Sequence, residues 1–216
     1  MDLIKKIKDN ANFMRKKILD ISFKSEHSAH LGGGLSMVEI MATLYTHILN
    51  FDKNNPTWDK RDRFILSKGH GVLGFYSALL VSGIIDEKKF YTYYQNESDL
   101  IAHPIMNLDL GIESSNGSLG QGLSMGIGIS YAAKYKYKNC FKTYVLLGDG
   151  ECNEGSVWEA IMLAPQLKLD NLIVIIDYNK LQSDMTVGKE IINLGNLSLK
   201  FKNFGWDTYN IDGHNI

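Results

Sequence analysis

An aspartate between two glycines, Gly148-Asp149-Gly150, follows the apolar run Thr143 to Leu147, and some thirty residues later a second apolar run ends in Asp177-Tyr178-Asn179. If both runs are parallel strands of one sheet, their carboxyl ends lie side by side and Asp149 and Asn179 converge. Those ends are where α/β proteins bind ligands. One carboxylate with one amide oxygen is a hard-ligand pair. It suits magnesium or calcium held jointly with phosphate oxygens, rather than zinc. The flanking glycines leave room for a bulky anion to approach the backbone. Taken alone, the Gly-Asp-Gly triplet also fits a plain strand-to-loop turn. A histidine, His70, follows Gly69 where an apolar helical pattern begins. A helix N-terminus preceded by glycine is an anion site, and an imidazole beside it can donate to an anionic oxygen.

These residues need elements to position them. Ile4, Ile7, Ala11, Met14, Ile18 and Ile21 recur at three- and four-residue spacing and predict a first amphipathic helix. Ser36-Met37-Val38-Glu39 has the form of a capping box, so a second helix is expected after Ser36, burying Met37, Ile40, Met41, Leu44 and Ile48. Further helices are expected after His70, after Gly120, and from Gly155 to Leu169 with an interruption near Pro165. The runs Thr143–Leu147 and Asn171–Asp177 are continuous and apolar, as strands buried on both faces are. Strand, helix and strand over about 35 residues make a βαβ crossover. A weaker helix at Leu197–Phe204 and a strand at Trp206–Ile211 would repeat the alternation. The class is α/β.

Gly-Asp-Gly followed at this distance by Asn resembles the thiamine diphosphate binding motif. The longer run Gly-Asp-Gly-Glu-Cys-Asn-Glu-Gly-Ser-Val-Trp-Glu-Ala, residues 148–160, resembles the N-terminal part of transketolases, above all the split bacterial and archaeal form. Ser28-Ala29-His30-Leu31-Gly32-Gly33-Gly34-Leu35-Ser36, Arg61 to His70, His103-Pro104 and Gly117 to Ser124 resemble four further blocks of that family. The resemblance implies a three-layer parallel sheet flanked by helices, of the diphosphate-binding type, with residues 1–216 as a single thiamine diphosphate-binding domain that lacks the C-terminal end of the family's subunit. It implies metal ligation by the side chains of Asp149 and Asn179 and the carbonyl of Leu181, the metal being magnesium, with calcium or manganese as substitutes. It implies diphosphate contacts from His70 and the Gly150 N–H. Gly117, Ser118 and Leu119 would meet the cofactor's rings, and Gly148 and Glu151 complete the cofactor-binding set. His30 and His103 match substrate-facing histidines; an imidazole titrates near neutrality and can exchange protons with a ketose carbonyl and hydroxyl. Glu154 matches an acidic residue that links the two active sites of the assembly, and equally suits a helix-start carboxylate.

The implied activity is ketol transfer, a two-carbon unit passing from a ketose or its phosphate to an aldose or its phosphate. The family's glutamate and stacking aromatic residue for the aminopyrimidine belong to a second, pyrimidine-binding domain. A partner subunit carrying that domain and the C-terminal domain is therefore expected, with two copies of each chain forming a heterotetramer. A deoxyxylulose-phosphate synthase, a nucleotide-sugar ketol transferase and a non-catalytic subunit keeping the fold are the competing readings.

Composition agrees with an ordinary globular enzyme. The 216 residues are 44% hydrophobic, and 23 Lys+Arg against 24 Asp+Glu give a net charge of −1, which argues against a nucleic-acid binder. No apolar run is long enough to span a bilayer, and the lysine-rich N-terminus does not read as a signal peptide. Two cysteines, Cys140 and Cys152, cannot form a disulfide scaffold and suit the cytoplasm. Cys152 reads as a packing residue, His27 and His47 as surface or core residues, and His214 of Asp212-Gly213-His214 as structural.

Overall fold

In a computed structural model the chain is described over residues 2–27, 29–138, 141–182, 185–186 and 192–216. Ser28 and Cys140, both named above, lie outside the described residues. Helix α1 (Leu3–Lys24) buries Ile7, Ala11, Met14, Ile18 and Ile21, and Asp2 caps it by accepting from the Ile4 N–H at 3.2 Å. Two short helices follow, α2 (Leu31–Leu35) and α3 (Val38–Thr43), the latter ending in a wider π turn over Leu44–Ile48. The expected capping box at Ser36 does not form. Ser36 instead closes α2, its N–H donating to the Gly32 carbonyl at 3.0 Å. Glu39 is buried against α1, where its carboxylate pairs with Arg15 and meets His214 Nδ1 at 2.9 Å. A buried carboxylate gains more from a guanidinium than from a cap N–H.

The sheet has three parallel strands in the order β1 (Arg63–Leu66), β2 (Thr143–Gly148), β3 (Leu172–Asp177). Strand β1 is an addition to the sequence reading, where its residues figured only within a motif. Helices α4 (Val72–Ser82), α5 (Glu87–Phe90) and α6 (Gly122–Tyr131) lie between β1 and β2, and α7 (Gly155–Gln166) crosses from β2 to β3. Beyond β3 come a two-residue hairpin, β4 (Leu181–Gln182) with β5 (Met185–Thr186), and helix α8 (Leu197–Asn203). Alternate side chains of each strand point to opposite faces. Phe64, Leu66, Tyr144 and Leu146 join α1, α3 and α4 in one core, whereas Ile65, Val145 and Leu147 join α6, α7 and α8 in the other. This is the three-layer arrangement that the sequence predicts.

Of two expectations near the end of the chain, one holds and one changes. Helix α7 ends at Gln166, one residue past Pro165, so the interruption expected there holds and the helix stops short of Leu169. Pro165 removes the N–H that would bond the Ile161 carbonyl, and Trp206 Nε1 donates to that carbonyl instead, at 2.9 Å. Residues Trp206–Ile211 form no strand: Trp206 packs into the second core, while Tyr209 and Ile211 are 87% and 83% exposed. Among the described residues β3 therefore pairs on one side only.

Candidate active site

The register pairs Gly148 with Asp177, so the tips of β2 and β3 end together. The Asp149 N–H donates to the Asp177 carbonyl at 3.2 Å. The Asp149 carboxylate accepts from the backbone N–H of Gly150 at 2.9 Å and of Lys180 at 2.8 Å. These bonds bring Asp149 against the loop that carries Asn179, as parallel strands require. The Asn179 side-chain oxygen accepts from the Leu181 N–H at 2.9 Å, holding that loop in an Asx turn. Asp149 is 2% exposed, and burial together with the neighbouring Asp177 charge pushes its carboxyl above the usual range. Among the described residues its oxygens receive backbone N–H groups and no side-chain cation. A buried acid of this kind gains from a cation. No cluster of three or more His, Cys, Asp or Glu suited to a metal occurs among the described residues. A hard cation here would take Asp149, the Asn179 amide and the Leu181 carbonyl, and would need ligand oxygens to complete its shell. The residues fit a magnesium–diphosphate pair.

Two neighbours of Asp149 are committed inward. Glu151 is buried, and its carboxylate accepts from the Ser67 hydroxyl, from the Gly120 N–H at 2.8 Å and from the Gly148 N–H at 3.1 Å. Burial raises its pKa. In this position it braces the Gly117–Gly122 loop against the tips of β1 and β2. Cys152 is fully buried, and burial pushes its thiol up to about 12, with Glu151 and Asp149 adding to the effect. A thiol held in that form is a packing group, not a nucleophile.

The three histidines converge from separate segments. His30 precedes α2, His70 lies in the tight turn Gly69–Gly71 between β1 and α4, and His103 precedes Pro104. The His30 ring centroid is 5.7 Å from that of His70 and 6.2 Å from that of His103. Burial, with Lys68 and the other two imidazoles adding repulsion, pushes His70 down to about 4. Burial and His30 lower His103 as well. Both rings are therefore neutral near pH 7, each with one donor and one acceptor nitrogen.

Glycines permit this convergence. A Cβ on Gly33 would come within 2.5 Å of His70 Cδ2, and one on Gly69 within 2.3 Å of the Asn116 carbonyl oxygen. The loop after Asn116 thus lies against the His70 turn. Gly117 and Ser118 are exposed, Leu119 is half-buried, and Gly120 turns the chain at φ +82. Asn116 also ties this loop to the His103 segment, its N–H donating to the Pro104 carbonyl at 3.1 Å. Glu154 stands exposed at the start of α7 without a side-chain cap, and its Cβ would lie 2.8 Å from a Cβ on Gly120. It borders the same loop.

Three residues at the centre were missed in the sequence. Lys68 is 1% exposed and donates to Asp177 at 2.5 Å and to the Ser36 hydroxyl at 3.3 Å; Ser36 itself donates to Asp177 at 2.5 Å. The only local sign was a lysine directly before Gly69-His70. The remaining histidines stay peripheral: His27 packs on Tyr94 with centroids 4.4 Å apart, His47 is exposed, and His214 meets Glu39.

Comparison with known proteins places the chain in a family. Residues 7–216 match the family model described as the transketolase, thiamine diphosphate binding domain. The chain is 41% identical over 211 residues to an apulose-4-phosphate transketolase subunit of Actinobacillus succinogenes, covering 97% of this chain and 75% of that one. It is 40% identical over 210 residues to a 6-deoxy-6-sulfo-D-fructose transketolase subunit of Clostridium sp., again covering 97% and 75%. The crystal structure of the transketolase from Campylobacter jejuni superposes with a TM-score of 0.89 at 32% identity, over 99% of this chain but only 34% of that one. The chain thus spans three quarters of these subunits and about a third of that larger enzyme. On these matches the chain belongs to the transketolase family and carries its thiamine diphosphate binding domain.

Proposed function

We propose that this chain is the diphosphate- and metal-binding subunit of a transketolase that moves a two-carbon ketol unit from a ketose to an aldose. Asp149, Asn179 and the Leu181 carbonyl hold magnesium. Calcium or manganese, with the same preference for oxygen ligands, can substitute. The neutral ring of His70 and the Gly150 N–H donate to the diphosphate. Gly117, Ser118 and Leu119, with Gly148, let backbone approach the cofactor. Thiamine diphosphate, once bound, supplies the electron sink that allows a carbon–carbon bond beside a ketone to break. His30 and His103 then give and take protons at the substrate's carbonyl and hydroxyl. Glu154, beside the Gly120 turn, is the contact toward the second active site.

The observation that carries this reading is the approach of His30 to His70 and His103, at 5.7 and 6.2 Å, beside the Asp149 end of the sheet, in a chain of this family. The two named relatives act on sugars that share an anionic group, a phosphate in one and a sulfonate in the other. A ketose with a terminal anion is accordingly the donor class. Both relatives are named as subunits of their transketolases. That supports a second polypeptide here, carrying the pyrimidine-binding and C-terminal domains, in a heterotetramer. The setting is the cytoplasm.

The test is reconstitution. The chain is mixed with its second subunit, magnesium and thiamine diphosphate, and ketol transfer is followed with phosphorylated and sulfonated ketose donors. Calorimetry follows cofactor binding in parallel. Transfer that requires both chains supports the proposal. No cofactor binding, with or without the second subunit, points to a non-catalytic role and refutes it.

A further inference from the structure

We propose that Lys68 is a positioning residue that fixes the metal end of the site and the histidine end in one frame. This rests on the functional reading above. The ammonium of Lys68 joins three segments that carry the chemistry. Lys68 itself lies two residues before His70. Its 2.5 Å bond reaches Asp177, at the tip of β3 and two residues before Asn179. Its 3.3 Å contact reaches Ser36, at the end of the short helix that begins beside His30. Ser36 closes the triangle by donating to the same Asp177 oxygen at 2.5 Å.

A lysine at 1% exposure is costly to bury, and charge pairing alone is weak evidence for stability. Two neutral residues would fill the space at less cost. What neutral residues would not supply is direction. Asp177 directs one oxygen to both partners, and its carbonyl receives the Asp149 N–H at 3.2 Å. The histidine arm, the His70 turn and the Asp149 strand end are thereby referred to one residue, Asp177. Partners behind metal ligands in this way orient the ligands themselves.

The experiment uses four variants of the chain: Lys68→Met, Ser36→Ala, Asp177→Asn and the double Lys68→Met/Asp177→Asn. Urea unfolding gives stability. The imidazole NMR signals of His30, His70 and His103 in the ligand-free chain report the frame. Titration with magnesium and thiamine diphosphate, alone and with the second subunit, gives affinity. Lys68→Met is expected to lower stability and to move the ring signals, and to weaken cofactor affinity by roughly 10–100-fold, the range for removing partners of metal ligands. The double variant, free of an unpaired buried charge, is expected to regain stability while its ring signals and affinity stay altered. Ser36→Ala, which keeps the ion pair and the fold, is expected to move the His30 signal. If the double variant regains native ring signals and affinity along with stability, the pair is charge compensation only and the proposal falls. It also falls if Ser36→Ala and the double variant leave every ring signal in place. If the unaltered chain takes up no cofactor, the functional reading fails, and the ligand-free ring signals still decide the role of Lys68.

Discussion

Substituting alanine at Gly69 tests how tightly the cofactor cradle is built. A Cβ there would stand 2.3 Å from the Asn116 carbonyl oxygen, 2.8 Å from its carbon and 3.3 Å from the Gly117 nitrogen. All three are backbone atoms, so no side chain can swing away. Ordinary contact at 3.4 Å or more requires the loop beginning at Asn116 to retreat by about 1 Å. The loop is anchored on both sides, by the Asn116 N–H on Pro104 at 3.1 Å and by the Gly120 N–H on buried Glu151 at 2.8 Å. Overpacking of this kind costs about 1–3 kcal/mol, and a chain of this length loses roughly 2–4 °C of melting temperature per kcal/mol. The functional cost is larger. A 1 Å misplacement of positioning groups can reduce a rate by about 100-fold. Urea unfolding and cofactor titration of Gly69→Ala measure both. The control is Gly128→Ala: a Cβ at Gly128, on the exposed face of α6, meets nothing within 4 Å, and removing a helical glycine is worth about 0.5–1 kcal/mol of added stability. Native stability and cofactor affinity in Gly69→Ala would refute the claim that the loop and the His70 turn must touch.

Glu151→Gln should lower stability by about 1–3 kcal/mol, because either orientation of the amide turns an NH2 group toward a donor, Gly148 on one side or Gly120 and Ser67 on the other; chemical denaturation at pH 7 reads it. His70 should stay neutral well below pH 6.5, with its ring signal titrating near 4. Because its folded value is lowered, the stability it contributes is present above 6.5 and is lost as pH falls toward 4; a midpoint at the ordinary value would contradict the burial argument. Trp206→Phe leaves the Ile161 carbonyl without its indole donor, a loss of about 1–3 kcal/mol. In that background Pro165→Ala should recover part of it by restoring the helical N–H, and a double-mutant cycle with no coupling between positions 165 and 206 would show that the carbonyl needs no donor.

Local signals in the sequence carried the strands β2 and β3, the helices α1, α4, α6, α7 and α8, and the meeting of the two strand ends that bear Asp149 and Asn179, because each depends on spacing within a few turns. The failures have a common cause. Ser36-Met37-Val38-Glu39 has the composition of a capping box, but both of its polar side chains found stronger partners far along the chain, Ser36 in Asp177 and Glu39 in Arg15 and His214. Pro165 does mark the end of α7, but that its abandoned Ile161 carbonyl is served by Trp206 from beyond the next strand and helix could not be read locally. Strand β1 is only four residues long, and its arginine hid its apolar character. Lys68 lies inside a motif block without a role of its own and Asp177 stands at a strand end; only the parallel register makes them a buried pair. The motif residues proposed to meet the cofactor are legible because ligand chemistry restricts residue type directly. The residues proposed to aim them, Lys68, Ser36 and Asp177, are restricted only by partners 32 to 141 residues away. An aiming residue therefore looks ordinary in its own neighbourhood, and a fully buried lysine whose nearest contacts are a serine and an aspartate from other segments is recognisable only once the strands are laid side by side.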